Sequence, residues 1–157
     1  MSHAVAAADN TVDGPTNHAL TRLAHKGGVK ILASGVYDDA RLVFNLVIDK
    51  AVSVACKNAA DANRTTISSE DVATTPAADL DAATECIPRT AFKRLIVQRT
   101  VNQDVKWSVN ALKLLQGYAE SFIVNVFQQA NMYAHHAGRE TVQLKDLQLV
   151  GKVRGEW

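Results

Sequence analysis

The chain has 157 residues, of which 47% are hydrophobic and 21% charged, with only 3 Pro. That is the composition of one ordinary folded domain or two small ones, and not of a disordered chain. No apolar run approaches the roughly 18 to 20 residues needed to span a bilayer, so no membrane partner is expected. The first fifteen residues lack a basic start and an apolar core, so no secretory signal is expected. Cys56 and Cys86 lie far apart, which fits a reduced intracellular compartment better than a disulfide framework. The net charge of +1 hides an asymmetry: residues 1–86 hold 7 Lys+Arg against 11 Asp+Glu, and residues 87–157 hold 10 against 5. A near-neutral chain still binds DNA if its cations cluster on one face.

In chain order, Asn17 to Lys26 carries Leu20, Leu23 and Ala24 at helical spacing, and Gly27-Gly28 stops it. After Val29 to Ser34, a stripe of Val36, Ala40, Val43, Phe44, Val47, Ala51, Val54 and Ala55 continues to about Ala62. It predicts a helix of about 28 residues, about 42 Å long. Ser34 is placed to cap it, with Asp38 and Asp39 in its first turns. After Asn63 to Ile67, Ser68-Ser69-Glu70-Asp71 reads as a capping box opening a short helix that Pro76 closes. Thr75 to Glu85 reads as a linker.

The pattern then recurs. Thr90 to Val101 places Phe92, Leu95 and Ile96 on one side, and a loop runs from Asp104 to Trp107. A second long stripe runs from Leu112 through Leu115, Phe122, Phe127 and Ala130 to Ala137, where Gly138 ends it. A last short helix is expected around Lys145 to Val153. At an offset of 75, Arg64, Thr66, Ile67, Asp71 and Val72 fall on Arg139, Thr141, Val142, Asp146 and Leu147. The plan is short, long, short, twice over. One long helix with two short flankers cannot enclose a core, whereas two units crossing on their long helices bury both stripes.

At this point the residues resemble a known family. Ala19-Leu20, Arg22-Leu23-Ala24 and Lys26 to Lys30, with Tyr37 to Arg41, look like histone four. Phe92, Arg94-Leu95, the stretch His136 to Leu149, and Val153 to Glu156 look like histone three. A histone four-to-three fusion in one chain resembles the histone doublets of giant DNA viruses. The resemblance implies an all-α fold of two tandem histone folds packed as an intramolecular handshake heterodimer. Its parts would be an N-terminal tail over 1–17, a first fold over 18–76, a linker over 77–87 and a second fold over 88–157.

The resemblance further implies a structural DNA-packaging protein and not an enzyme. Two copies would form the tetramer-like centre of a nucleosome-like particle, completed by a histone two-A/two-B-type doublet or dimer. Double-stranded DNA would be held without base readout, through phosphates and the minor groove. The particle would lie with DNA in a nucleus or viral factory and be packaged in the virion. The expected DNA contacts are Arg22, Lys26, Lys30 and Arg64 in the first half, and Arg89, Arg94, Lys106, Thr141 and Lys145 in the second. Lys106 stands where the family has a groove-entering arginine, and Ile31 stands at the matching place in the first half. Arg64 with Asp71, and Arg139 with Asp146, are expected to pin the second loop of each unit. Tyr133, His136, Arg139 and Asp146 are expected to join a second copy.

No cofactor is expected. His135 and His136 are adjacent on a helix, about 100° apart, so a shared metal ion is not expected. Cys56 reads as packing. Residues 1–21 contain no Lys or Arg, and the short linker has no counterpart of the extra helix that precedes the histone three fold. Both departures imply looser DNA ends and a shorter wrap. The competing expectation is a histone-fold interaction module that dimerises without wrapping DNA, which the near-neutral charge and Ile31 favour.

Overall fold

A computed structural model describes residues 14–72, 86–155 and 157. Pro76 and most of the expected tail and linker lie outside these residues. The first unit comprises α1 (Asn17–Lys26), β1 (Ile31–Leu32), α2 (Val36–Asp61), β2 (Thr66–Ile67) and α3 (Ser69–Val72). The second comprises α4 (Arg89–Arg99), β3 (Lys106–Trp107), α5 (Val109–His136), β4 (Thr141–Val142) and α6 (Leu144–Arg154). The order short, long, short is therefore present twice.

The fold is not purely helical. β1 pairs in parallel with β4, Ile31 opposite Thr141, and β2 pairs in parallel with β3, Thr66 opposite Lys106. These two-residue strands are too short for a hydrophobic pattern to announce them. They form because the loops meet in space and their backbone N–H and C=O groups need partners. Each bridge joins the first loop of one unit to the second loop of the other.

Local chemistry explains most helix ends. The Thr16 side chain accepts from the Ala19 N–H at 3.2 Å to start α1, and Ser108 accepts from the Ala111 N–H at 3.1 Å to start α5. Ser34 does not cap α2 as expected. The N-cap is Gly35, reached through a tight turn in which the Val36 N–H donates to the Ala33 carbonyl at 3.1 Å. Ser34 therefore sits one residue too early. That turn also shortens α2 to 26 residues against the expected 28 or so, while α5 runs 28. Past their ends, Asn63 (φ 54°) and Gly138 (φ 76°) occupy the same place in the repeat. Both adopt the left-handed conformation that Gly and Asn tolerate best.

The two long helices contact each other, and each is also covered by elements of the other unit. α1 packs on α5 as well as α2; α3 packs on α5; α4 and α6 both reach α2. The resulting core is continuous. It takes Leu20, Leu23, Phe44 and Ile48 from the first unit and Phe92, Leu115, Ile123, Phe127 and Leu147 from the second. Each such side chain contributes about 1.5 to 3 kcal/mol on burial. Gly27 marks a close approach between units, because a Cβ there would stand 2.9 Å from the Val124 carbonyl oxygen. Beside it, the Asn131 side chain donates to the Gly28 carbonyl at 3.2 Å.

Two further contacts tie down chain ends of the second unit. The Ile87 N–H donates to buried Glu120 Oε1 at 3.0 Å, and Gln116 Nε2 donates to the Ile87 carbonyl at 2.7 Å. This fixes the approach to α4. At the other end Trp157 lies over Gly151 and meets Phe122 edge-on at 6.2 Å, while Arg154 stacks over the same ring at 5.1 Å.

Candidate nucleic-acid interface

The strand bridges create two loop pairs. At the first, the Ala33 N–H extends the β1–β4 ladder by donating to Val142 O at 2.9 Å. Ile31 is 51% exposed there, a large apolar side chain facing solvent at the place where the resemblance would put a groove-entering arginine. Lys30 is exposed but faces Glu140 across the bridge at 3.8 Å, so the cation expected to meet phosphate has a carboxylate beside it. Thr141, half-buried, is the strand partner of Ile31.

At the second loop pair, the Lys106 N–H donates to Thr65 O and the Ser108 N–H to Ile67 O, both at 3.0 Å. Lys106 is exposed, and no salt bridge to it is present among the described residues. Trp107 beside it is half-buried, with its Nε1–H donating to Thr100 Oγ1 at 2.9 Å, so the ring is fixed. The two loop pairs thus differ in pairing: Lys30 of the first faces Glu140 across the bridge, whereas Lys106 of the second, two residues after Asp104, has no salt bridge among the described residues.

Both loop pairs rest on the repeated ion pair. Arg64 donates through Nη1 and Nη2 to the two Asp71 carboxylate oxygens, each at 2.8 Å, and Nη1 also reaches Ser68 Oγ at 3.0 Å. Arg139 repeats this with Asp146 at 2.9 Å on both forks, and Nη1 also holds the Thr141 carbonyl at 2.9 Å. Each carboxylate accepts a backbone N–H as well, Ser68 to Asp71 at 2.9 Å and Gln143 to Asp146 at 2.8 Å. In the capping box, Ser68 and Asp71 are the reciprocal pair, the Ser68 N–H donating to the Asp71 carboxylate. The Arg64 hydrogen bond comes first in holding the Asp71 carboxyl below its ordinary range. For Asp146 burial pushes upward, but the Arg139 and Gln143 hydrogen bonds outweigh it, and its pKa is also lowered. Asp71 and Asp146 are buried, at 3% and 5% side-chain exposure.

The other expected DNA contacts are distributed over the helices. Arg22 and Lys26 are exposed on α1, Arg89 and Arg94 on α4, and Lys145 on the first turn of α6. The structure brings Lys30 close to the loop of Thr141, and Arg64 close to that of Lys106, through the bridges. Arg64 has both terminal nitrogens committed to Asp71, so it acts first as a loop brace. Sequence reasoning passed over Glu140, and also Lys93 and Lys113, which are exposed on α4 and α5. Only the tertiary pairing of loops reveals Glu140 as a partner of Lys30.

Of the residues expected to join a second copy, His136 is exposed and Tyr133 half-buried at the end of α5. Arg139 and Asp146 face each other within the chain. Met132, Leu149 and Val153 are exposed apolar residues on the packed pair α5 and α6. Among the described residues there is no group of three or more His, Cys, Asp or Glu that could hold a metal, and no helix long and apolar enough to cross a membrane.

Comparison with known proteins agrees with this geometry. Residues 80–153 match the core histone domain shared by histones two-A, two-B, three and four, a structural and non-catalytic family. The chain is 41% identical over 63 residues to the histone H3-like centromeric protein A of Bos taurus, an alignment covering 40% of this chain and 46% of that protein. It therefore spans about half the length of this curated relative. The crystal structure of the histone from Methanopyrus kandleri superposes with a TM-score of 0.64 at 19% identity, over 84% of this chain and 89% of that one. That superposition extends well beyond the second unit, so the fold of the chain is the histone fold.

Proposed function

We propose that this chain is a histone doublet, a histone four-like fold over 18–76 joined by a linker over 77–87 to a histone three-like fold over 88–157, which packages DNA. The observation that supports it best is the reciprocal bridging of loops, β1 with β4 and β2 with β3, which places cations at two separate loop pairs. That is the arrangement of a handshake pair made within one chain. Phosphates would be met by Arg22, Lys26, Lys30, Arg89, Arg94, Lys106, Thr141 and Lys145, with Arg64 bracing its loop. No base is read, and the protein's role is structural.

The test is the salt dependence of binding to duplexes of unrelated sequence. Each neutralised phosphate contributes about −0.9 to the slope of log K against log salt. Replacing Lys26, Lys30, Lys106 and Lys145 by alanine is expected to flatten the slope by about 3 to 4 without unfolding the chain. A slope that stays the same would remove these lysines from the interface.

Two copies would join through the surface of Tyr133 and His136, forming a tetramer-like centre completed by a histone two-A/two-B-type partner. Tyr133→Asp with His136→Asp is expected to halve the mass in solution, measured by light scattering. An undiminished mass would overturn this surface. A second reading, an interaction module that does not wrap DNA, is favoured by one observation: Glu140 beside Lys30, with Ile31 exposed, leaves the first loop pair weakly cationic.

A further inference from the structure

At the offset of 75, Ile31 takes the place of Lys106, Thr141 that of Thr66, Lys30 that of Val105, and Glu140 that of Thr65. The second loop pair therefore carries its cation on the bridge itself, and the position before the bridge is uncharged on both strands. In the first loop pair the cation stands one residue earlier, at Lys30. The parallel register that sets Ile31 opposite Thr141 brings Lys30 to Glu140, and the two side chains meet at 3.8 Å. The backbone ladder holds this encounter in place, since it continues from Ala33 N–H to the Val142 carbonyl. Arg139, next to Glu140 in the chain, has both forks on Asp146. Asp104 stands two residues before Lys106, but no salt bridge between them is present among the described residues.

The Lys30–Glu140 pair does little for the fold. Its side chains are 75% and 65% exposed, and water screens a pair of that kind. Its effect on a polyanion is another matter. A phosphate that approaches Lys30 must displace the Glu140 carboxylate or lie beside it, well within the screening distance of about 10 Å at 0.1 M salt. A lysine already neutralised by a carboxylate also releases fewer counterions from a duplex. The carboxylate therefore opposes a phosphate contact without helping to hold the chain together.

We infer that Glu140 is a built-in brake on DNA binding: it competes with phosphate for Lys30, so that the first loop pair grips a duplex less firmly than the second. This rests on the DNA-packaging reading and adds to it a residue that limits affinity. The protein's own repeat supplies the variant that releases the brake. Thr65 occupies the place of Glu140 in the other half, so Glu140→Thr gives the first loop pair the uncharged residue that the second already carries.

The experiment is a double-mutant cycle on the full chain, with Glu140→Thr, Lys30→Ala and the two together. Binding to an end-labelled duplex is followed by anisotropy over a series of salt concentrations, and circular dichroism checks that each variant folds as the parent does. In the parent, Lys30→Ala is expected to flatten the slope of log K against log salt by no more than about 0.3, against about 0.9 for Lys106→Ala. Glu140→Thr is expected to steepen the slope by about 0.6 and to tighten binding at 0.1 M salt several-fold. In the Glu140→Thr chain, Lys30→Ala is then expected to flatten it by the full contact, about 0.9. Equal flattening by Lys30→Ala in both backgrounds would overturn the inference, even with tighter binding by Glu140→Thr, because the carboxylate would then act only through the overall charge. Parent-like affinity and slope in Glu140→Thr would overturn it too. A chain that binds no duplex in any of these forms would overturn the DNA reading itself, and the inference with it.

Discussion

Asp146→Ala is expected to destabilise the chain by about 3 kcal/mol, measured by denaturant unfolding. The carboxylate is 5% exposed and takes both forks of Arg139 and the Gln143 N–H. Its removal leaves a guanidinium at 22% exposure without a counter-charge and the β4 loop without its brace. Asp71→Ala acts in the same direction but less strongly, since Arg64 is 37% exposed and water takes up more of the loss. The pair also sets the acid limit of the fold. Both carboxyls titrate lower in the folded chain than the ordinary value near 4. Their stabilisation is therefore complete above that value and is lost as pH falls through the depressed folded pKa. The melting temperature should hold steady from neutral pH to about 5 and fall below about 4. In Asp146→Ala that acid fall should be shallower. An equally steep fall in the variant would show that other carboxyls set the limit.

Gly27→Val is expected to cost about as much, by a different route. The residue has φ −78°, an ordinary conformation, so backbone strain plays no part. The obstacle is the neighbour: a Cβ would meet Val124 O at 2.9 Å, Gln128 N at 3.0 Å and Phe127 Cβ at 3.2 Å. Two of these atoms are backbone of a 28-residue helix and cannot step aside. α1 would have to lift from α5, loosening the cover over Leu20, Leu23 and Ala24. We expect a loss of about 3 kcal/mol, seen as a fall in melting temperature of about 10 °C. Gly35→Ala is the control, with nothing within 4 Å of the added Cβ and φ −72°, and should be neutral or slightly stabilising. A Gly27→Val chain that melts with the parent would mean α1 does not seat on α5 as described.

The repeat was legible because helical periodicity and the offset of 75 are local properties of the chain. Phe44, Phe92 and Phe127 announced themselves as core in this way, and the spacing of Arg64 from Asp71 and Arg139 from Asp146 marked the loop braces. What stayed hidden depends on contacts between distant residues. Ile31–Leu32 and Thr141–Val142 are too short to show as strands, and they pair only because the units bring them together. Glu140 carries no local mark as the neighbour of Lys30. Gly27 read as a helix stop, which it is, yet its closer constraint is the α5 backbone. Ser34 looked like a cap by residue type, but the turn at Gly35 moved the helix start past it.

The most direct test of DNA packaging is nuclease protection of long DNA reconstituted with this chain and a histone two-A/two-B-type partner. The account predicts a discrete protected band, shorter than that of a cellular nucleosome at the same salt. The reasons are the weakly cationic first loop pair and the absence of Lys and Arg from residues 1–21. A smear at every protein-to-DNA ratio would contradict it and hand the histone fold of this chain a role in protein association alone.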